Sequence, residues 1–235
     1  MQPPLPPFDA VADAVEAIAN GEFVIVVDDT DRENEGDLII AAEKITTEHM
    51  AFLVKYSSGL VCVAMQEQRL QALDLPQMVT HNADPFRTAF TVSVDYKYGT
   101  TSGISAADRA LTLRALADPS SQASDFHRPG HIFPLRARLG GVLERPGHTE
   151  AAHDLAAMAG LQPVGVLCEI VNDDGSMARR PDLLRFAKQH GLKMITIADM
   201  IVYRERQLQV TYPRQPVRPV RQQSTLLDAA MVYSG

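Results

Sequence analysis

The chain has 235 residues, 46% of them apolar, and a formal net charge of -7. That length can bury one substantial core, while the acidic balance excludes a nucleic-acid surface built on clustered Lys and Arg, so any anionic ligand needs a local basic pocket. No apolar run approaches a bilayer span, and MQPPLPPFDA lacks the basic and apolar regions of an export signal, which predicts a soluble protein without membrane contact.

In chain order, DAVADAVEAIANG predicts a first helix, with Asp9 as its N-cap and Gly21 at its end. EFVIVVD reads as a buried strand. TTEHMAFLVKYSSG offers a cap, an apolar helical face and a terminal glycine, and it leads into the strand-like run LVCVAM. After a looser region from Pro76 to Pro85, FTVSVDY alternates like a half-buried strand. SAADRALTLRALAD opens on a Ser-x-x-Asp capping box. HIFPLRA, VGVLCEIV and KMITIAD predict three further strands, with helices in EAAHDLAAMAG and PDLLRFAKQHG and a turn at NDDG. The elements add up to a single α+β (α/β-like) domain, a mixed sheet of about six or more strands flanked by helices. Its expected bounds are residues 10–206, preceded by an extension over 1–9 and followed by a Pro/Arg/Gln-rich tail over 207–235. The tail carries Pro-x-x-P patterns at Pro213, Pro216 and Pro219 that could dock an SH3-like groove, although a simple extended arm is the plainer reading. Cys62 and Cys168 lie in apolar strand-like runs and read as buried, reduced thiols, which points to a cytoplasmic compartment.

DDTDRENEGDLI gathers Asp28, Asp29, Asp31, Glu33, Glu35 and Asp37 around one arginine, Arg32. Such a stretch is either a solvated acidic loop or a site compensated by a cation. If residues 33–37 are extended, Glu33, Glu35 and Asp37 share one face, a set of oxygen donors suited to Mg²⁺. A calcium EF-hand fails, because a loop counted from Asp31 has Ala42 where a Glu is required. RPGH occurs twice, at Arg128–His131 and Arg145–His148, and each copy joins a cation, a Pro-Gly turn and an imidazole. Arg145 and His148 precede a helix for which Thr149 is the expected N-cap, and free amides there suit a phosphate. Glu169 lies in an apolar strand, where a carboxylate is costly unless paired or working. His153 reads as a helix-surface residue.

DRENEGDLI, SGISAADRA, RPGHIFPLRA, RPGHTEAA and VGVLCEI follow one another between about Ala10 and Tyr203. Together they closely resemble the 3,4-dihydroxy-2-butanone 4-phosphate synthase family of riboflavin biosynthesis. The resemblance implies a carbon-carbon lyase that converts D-ribulose 5-phosphate into the dihydroxybutanone phosphate and formate. The implied route is metal-stabilised enediolate formation, dehydration, skeletal rearrangement and loss of C4. It implies Mg²⁺, with Mn²⁺ able to serve, no organic cofactor, and a homodimer with sites at the subunit interface. By match, Glu33 and His148 would be metal ligands, with Glu35 near a second ion. Arg32, Glu33, Asp37, Arg145, Pro146, Gly147, His148, Thr149 and Glu169 would hold substrate, and His131 and Glu169 would transfer protons. Ser102 departs from a more usual threonine, and the role of Cys62 stays open. The residues after Tyr203 are too few for a GTP cyclohydrolase II domain and lack the cysteines its zinc would require. A non-catalytic sugar-phosphate or nucleotide-binding module of the same fold is the alternative.

Overall fold

The structure, a computed structural model, describes residues 8–211. The Pro-x-x-P patterns at Pro213, Pro216 and Pro219 lie outside the described residues. Among those described, seven strands form one mixed sheet: β1 (Val24–Val27), β2 (Gly36–Ala41), β3 (Cys62–Gln66), β4 (Val94–Tyr96), β5 (Phe126–Ala137), β6 (Gly165–Glu169) and β7 (Lys193–Thr196). Their order across the sheet is β4-β5-β3-β6-β2-β1-β7. β1 runs parallel to β7 and β3 parallel to β5; the other neighbours are antiparallel. The helices are α1 (Val11–Ala19), α2 (Thr47–Tyr56), α3 (Glu67–Ala72), α4 (Ala106–Ala117), α5 (His148–Met158), α6 (Arg180–His190) and α7 (Ile197–Thr211).

Helices cover both faces of the sheet, which is why its central strands read as continuous apolar runs rather than alternating ones. On one face Ile25, Leu38, Ile40, Val63 and Val166 pack against Met50 and Leu53 of α2, Leu113 of α4 and Leu183 of α6. On the other, Val24, Val26, Ile39 and Leu167 meet Ile18 of α1, Ala151 and Leu155 of α5 and Met200 of α7.

Local signals hold at α2, where Thr46 accepts the His49 N–H, and in part at α4, where Ser105 accepts the Asp108 N–H but the Asp108 carboxylate turns to Thr101 and Gly103 instead of closing the capping box. They fail where a long-range partner competes. The N-cap of α1 is Ala10; Asp9 instead accepts the Met194 N–H at 2.8 Å, tying the chain start to β7. Only Val94–Tyr96 of FTVSVDY is strand. α7 runs on to Thr211, past the change of composition near residue 207.

α5 departs most from expectation. Every residue from His148 to Ala156 is buried, so His153 is an interior residue, with Nδ1 3.2 Å from Asp154 Oδ1, and not a surface one. The helix is packed on all sides, so no polar stripe marks an exposed face. It lies directly on β6, because a Cβ at Gly165 would fall 2.2 Å from the Ala152 carbonyl oxygen. Replacing Gly165 by Val should therefore cost about 1–3 kcal/mol of stability through overpacking. Urea unfolding reads this as a lowered midpoint, and an unchanged midpoint would show that α5 can lift off the sheet freely.

Candidate active site

The acidic stretch folds around Asp28. Its carboxylate accepts the backbone N–H of Glu33 at 3.0 Å and of Glu35 at 2.9 Å, and Arg32 Nη1 at 2.9 Å. Asn34 adopts a left-handed φ of 54°. The extended conformation expected over 33–37 is thereby corrected: β2 begins at Gly36, and Glu33 sits in the preceding turn. The physical reason is that Asp28 offers the backbone a local set of acceptors that outcompetes strand geometry. Arg179, the N-cap of α6, holds the turn from outside by donating to the Glu33 and Asn34 carbonyls at 2.7 and 2.5 Å. It also lies 3.7 Å from Glu35.

His148 meets this turn from the other side. It is the first residue of α5, whose N-cap is Gly147 with no side-chain cap; Thr149 lies inside the first turn and is not the cap. His148 Nδ1 is 3.4 Å from Glu33 Oε2 and 3.7 Å from Asp37 Oδ1. Ligand atoms of Asp28, Glu33 and His148 all lie within 4.8 Å of one another. Asp28 already accepts three hydrogen bonds and so braces the cluster. Asp37 Oδ1 and His148 Nε2 are buried without a hydrogen-bond partner among the described residues. An orphaned buried carboxylate oxygen is costly; with Glu33 and an imidazole beside it, it makes a donor set that fits a divalent cation.

The electrostatics follow from this crowding. Burial alone would lower the His148 pKa, but Asp37, Glu33 and Asp28 outweigh it and push it up to about 9. Burial raises Asp37 to about 7; His148 opposes the shift, while Glu169, Glu33 and Glu35 add to it. Glu33 is also partly buried, yet His148 and Arg32 hold its carboxyl below the ordinary range. Burial pushes the Cys62 thiol well up, and the neighbouring carboxylates add to it, which keeps it a neutral thiol.

Sheet register supplies the next groups. Asp37 pairs with Glu169 across β2 and β6, so both carboxylates share a face. Glu169 is the half-buried last residue of β6, and its Oε2 accepts Ser58 Oγ at 2.6 Å. Cys62 pairs with Leu167 on one side and Phe133 on the other, so alternation puts His131 on that same face. His131 lies within β5, which begins earlier than the predicted run, and its Nδ1 is 2.7 Å from Asp95 Oδ2.

Arg32, Glu33, Asp37, Arg145, His148, Thr149 and Glu169 line one small cavity together with Cys62. His131 and Gly147 are not in its lining, and Pro146 lines a larger cavity on the other side of the acidic turn. The two RPGH copies differ in use. Arg128 donates to the carbonyls of Leu73, Asp74, Phe126 and Ala123, a structural task. Arg145 is not the lone cation its context suggests: Nη1 meets Glu150 Oε2 at 2.6 Å and Nη2 the Phe86 carbonyl at 3.0 Å. Gly147 makes room for this, since a Cβ there would fall 2.2 Å from Arg145 Nη1. Asp28 as organiser, Ser58, Asp95 and Glu150 were missed by sequence reasoning. Asp95 and Glu150 left a trace, as carboxylates in or beside apolar runs; Ser58 left none.

An α+β domain thus sets carboxylates and an imidazole against one another at the start of a buried helix, a donor set that could hold a cation. The sequence model of 3,4-dihydroxy-2-butanone 4-phosphate synthase matches residues 12–203. The 3,4-dihydroxy-2-butanone 4-phosphate synthase of Agrobacterium fabrum is 60% identical over 82% of this chain and 91% of its own length. The riboflavin biosynthesis protein RibBA of Aquifex aeolicus is 59% identical over 85% of this chain, which spans 50% of that longer protein. A crystal structure of 3,4-dihydroxy-2-butanone 4-phosphate synthase in complex with two magnesium ions superposes with a TM-score of 0.83 at 55% identity, covering 85% of this chain and 98% of that one. The chain belongs to the 3,4-dihydroxy-2-butanone 4-phosphate synthase family.

The shifted groups set a pH dependence. In metal-free protein the folded His148 pKa of about 9 lies above its ordinary 6.5. Its contribution to stability is complete below 6.5 and is lost as pH rises through about 9. Asp37, raised to about 7, works in the same direction. The thermal midpoint of metal-free protein should fall across that window, and His148→Asn should flatten the slope. If His148 is a ligand, a divalent cation displaces its proton, and calorimetry should find affinity rising with pH and protons released on binding. An affinity independent of pH would contradict this.

Proposed function

We propose that the chain converts D-ribulose 5-phosphate into 3,4-dihydroxy-2-butanone 4-phosphate and formate, and that it does so with Mg²⁺, or Mn²⁺ in its place, and no organic cofactor. The observation that carries this reading is the pairing of Asp37 with Glu169 on the sheet face that Glu33 and His148 close from above. Two kinds of chemistry meet there, cation ligation and proton transfer. Glu33 and His148 would hold the ion, with Asp37 and Glu35 as further carboxylates. When bound, a divalent ion polarises a carbonyl and its neighbouring hydroxyl and stabilises the negative charge that develops on them.

The remaining tasks fall to side chains. Removing a proton beside the ketose carbonyl, expelling a hydroxyl as water and returning a proton all need groups that exchange protons, for which a carboxylate and an imidazole serve. Glu169, held by Ser58, and His131, held by Asp95, are those groups. Arg32, Glu33 and Asp37 would hold the sugar hydroxyls, with Glu169 beside them. The segment Arg145, Pro146, Gly147, His148 and Thr149 would take the phosphate, through the Arg145 guanidinium and the free N–H groups of the first turn of α5. Burial of Glu150 at 1% exposure keeps Arg145 aimed. Met78, Val79 and Phe86 are exposed apolar side chains on the segment that brings Thr88 and Phe90 to the cavity, which supports a homodimer with sites at the subunit interface. Light scattering at working concentration tests that. The acidic chain and its buried thiols fit a cytoplasmic enzyme.

The decisive assay is formate release from ribulose 5-phosphate. It should require a divalent cation and stop on chelation, and Glu33→Gln and His148→Asn should each lower it by about 100-fold or more. Glu169→Gln and His131→Asn should still bind substrate by calorimetry but lose on the order of 10²–10⁴ in kcat. Arg145→Ala should raise KM more than it lowers kcat. Binding of the sugar phosphate without any formate would favour a non-catalytic module.

A further inference from the structure

Asp95 stands at the edge of the sheet, on the short strand β4, with its side chain 10% exposed. Both of its oxygens are engaged by a single residue: Oδ1 accepts the His131 backbone N–H at 2.8 Å, and Oδ2 lies 2.7 Å from His131 Nδ1. Gripping one residue by its backbone and its ring fixes that ring's position as well as its distance. A third wall keeps the carboxylate there. Gly103, at φ +90°, packs so closely that a Cβ would fall 2.1 Å from Asp95 Oδ2. The Gly103 loop is anchored in turn by Asp108, which accepts the N–H groups of Thr101 and Gly103 and the Thr101 hydroxyl. The SGISAADRA motif thus backs Asp95, and Asp95 backs His131.

A carboxylate offers only acceptors, so the ring nitrogen facing it carries the hydrogen. In the neutral imidazole that leaves Nε2 with the lone pair, and the ring is open to solvent, with its side chain 41% exposed. We propose that Asp95 is the positioning residue of His131, holding the imidazole in the Nδ1–H tautomer so that Nε2 is the atom that takes and returns protons. The inference rests on the reading of His131 as a proton-transfer group. It adds a residue and assigns an atom to that role. The logic is that of the carboxylate that orients the histidine in hydrolase triads.

The direct test is long-range ¹H–¹⁵N correlation on metal-free protein labelled at histidine, with the ring in its neutral form and the His131 signals assigned by their loss in His131→Asn. The expected result is Nδ1–H; a dominant Nε2–H tautomer in the wild type overturns the proposal without need of any further variant. Asp95→Asn keeps the shape but can turn an NH₂ toward the ring, so the tautomer should reverse, kcat should fall by about 100-fold or more and KM should stay within about threefold. A merely structural residue would move stability without reversing the tautomer. If His131→Asn is inactive while Asp95→Asn keeps its kcat, this proposal fails alone. If His131→Asn keeps near-normal formate release, the reading of His131 itself fails and the proposal falls with it.

Discussion

The contact of His148 with Glu33 and Asp37 is the interaction on which the rest of the site depends. A buried imidazole is ordinarily driven toward neutrality, and buried carboxylates toward protonation. Here the acids hold the His148 proton, pushing its pKa up to about 9, and His148 in turn holds Glu33 below the ordinary range, whereas burial still raises Asp37 to about 7. A dication arriving at this cluster would take over the role of that proton. Arg32 and Arg179 steady the turn from its flanks.

Such an arrangement requires that α5 not move. The helix is buried along nearly its whole length and rests on β6 at Gly165. Paired charges hold it at its start and at its middle. Arg145 meets Glu150 in the first turn, and Arg204 of α7 meets Asp154 further along. Removing one partner of such a buried pair leaves an uncompensated charge, which costs more than the pair contributes when intact. These groups thus specify where α5 sits more than they add to overall stability.

The groups proposed to transfer protons are held by separate devices. Glu169 depends on Ser58, whose own segment follows α2, while His131 depends on Asp95 and the loop before α4. Strands β2, β5 and β6 bring Asp37, His131 and Glu169 to one sheet face, with Cys62 of β3 between them.

Much of this was legible in the amino-acid order. Continuous apolar runs predicted β1, β3 and β6, Thr46 and Ser105 predicted the starts of α2 and α4, and five ordered motifs carried the family resemblance. These signals act over a few residues, so the local sequence determines them alone. The sequence did not determine which carboxylate does what. Glu33 left the strand because Asp28 captured its backbone, Arg145 acquired a partner in Glu150, and His153 was buried by packing from several elements. Asp95 joined His131 across 36 residues, and Ser58 joined Glu169 across 111. Only the tertiary structure decided those pairings, because the free energy of a buried charge depends on neighbours that the fold brings from distant parts of the chain.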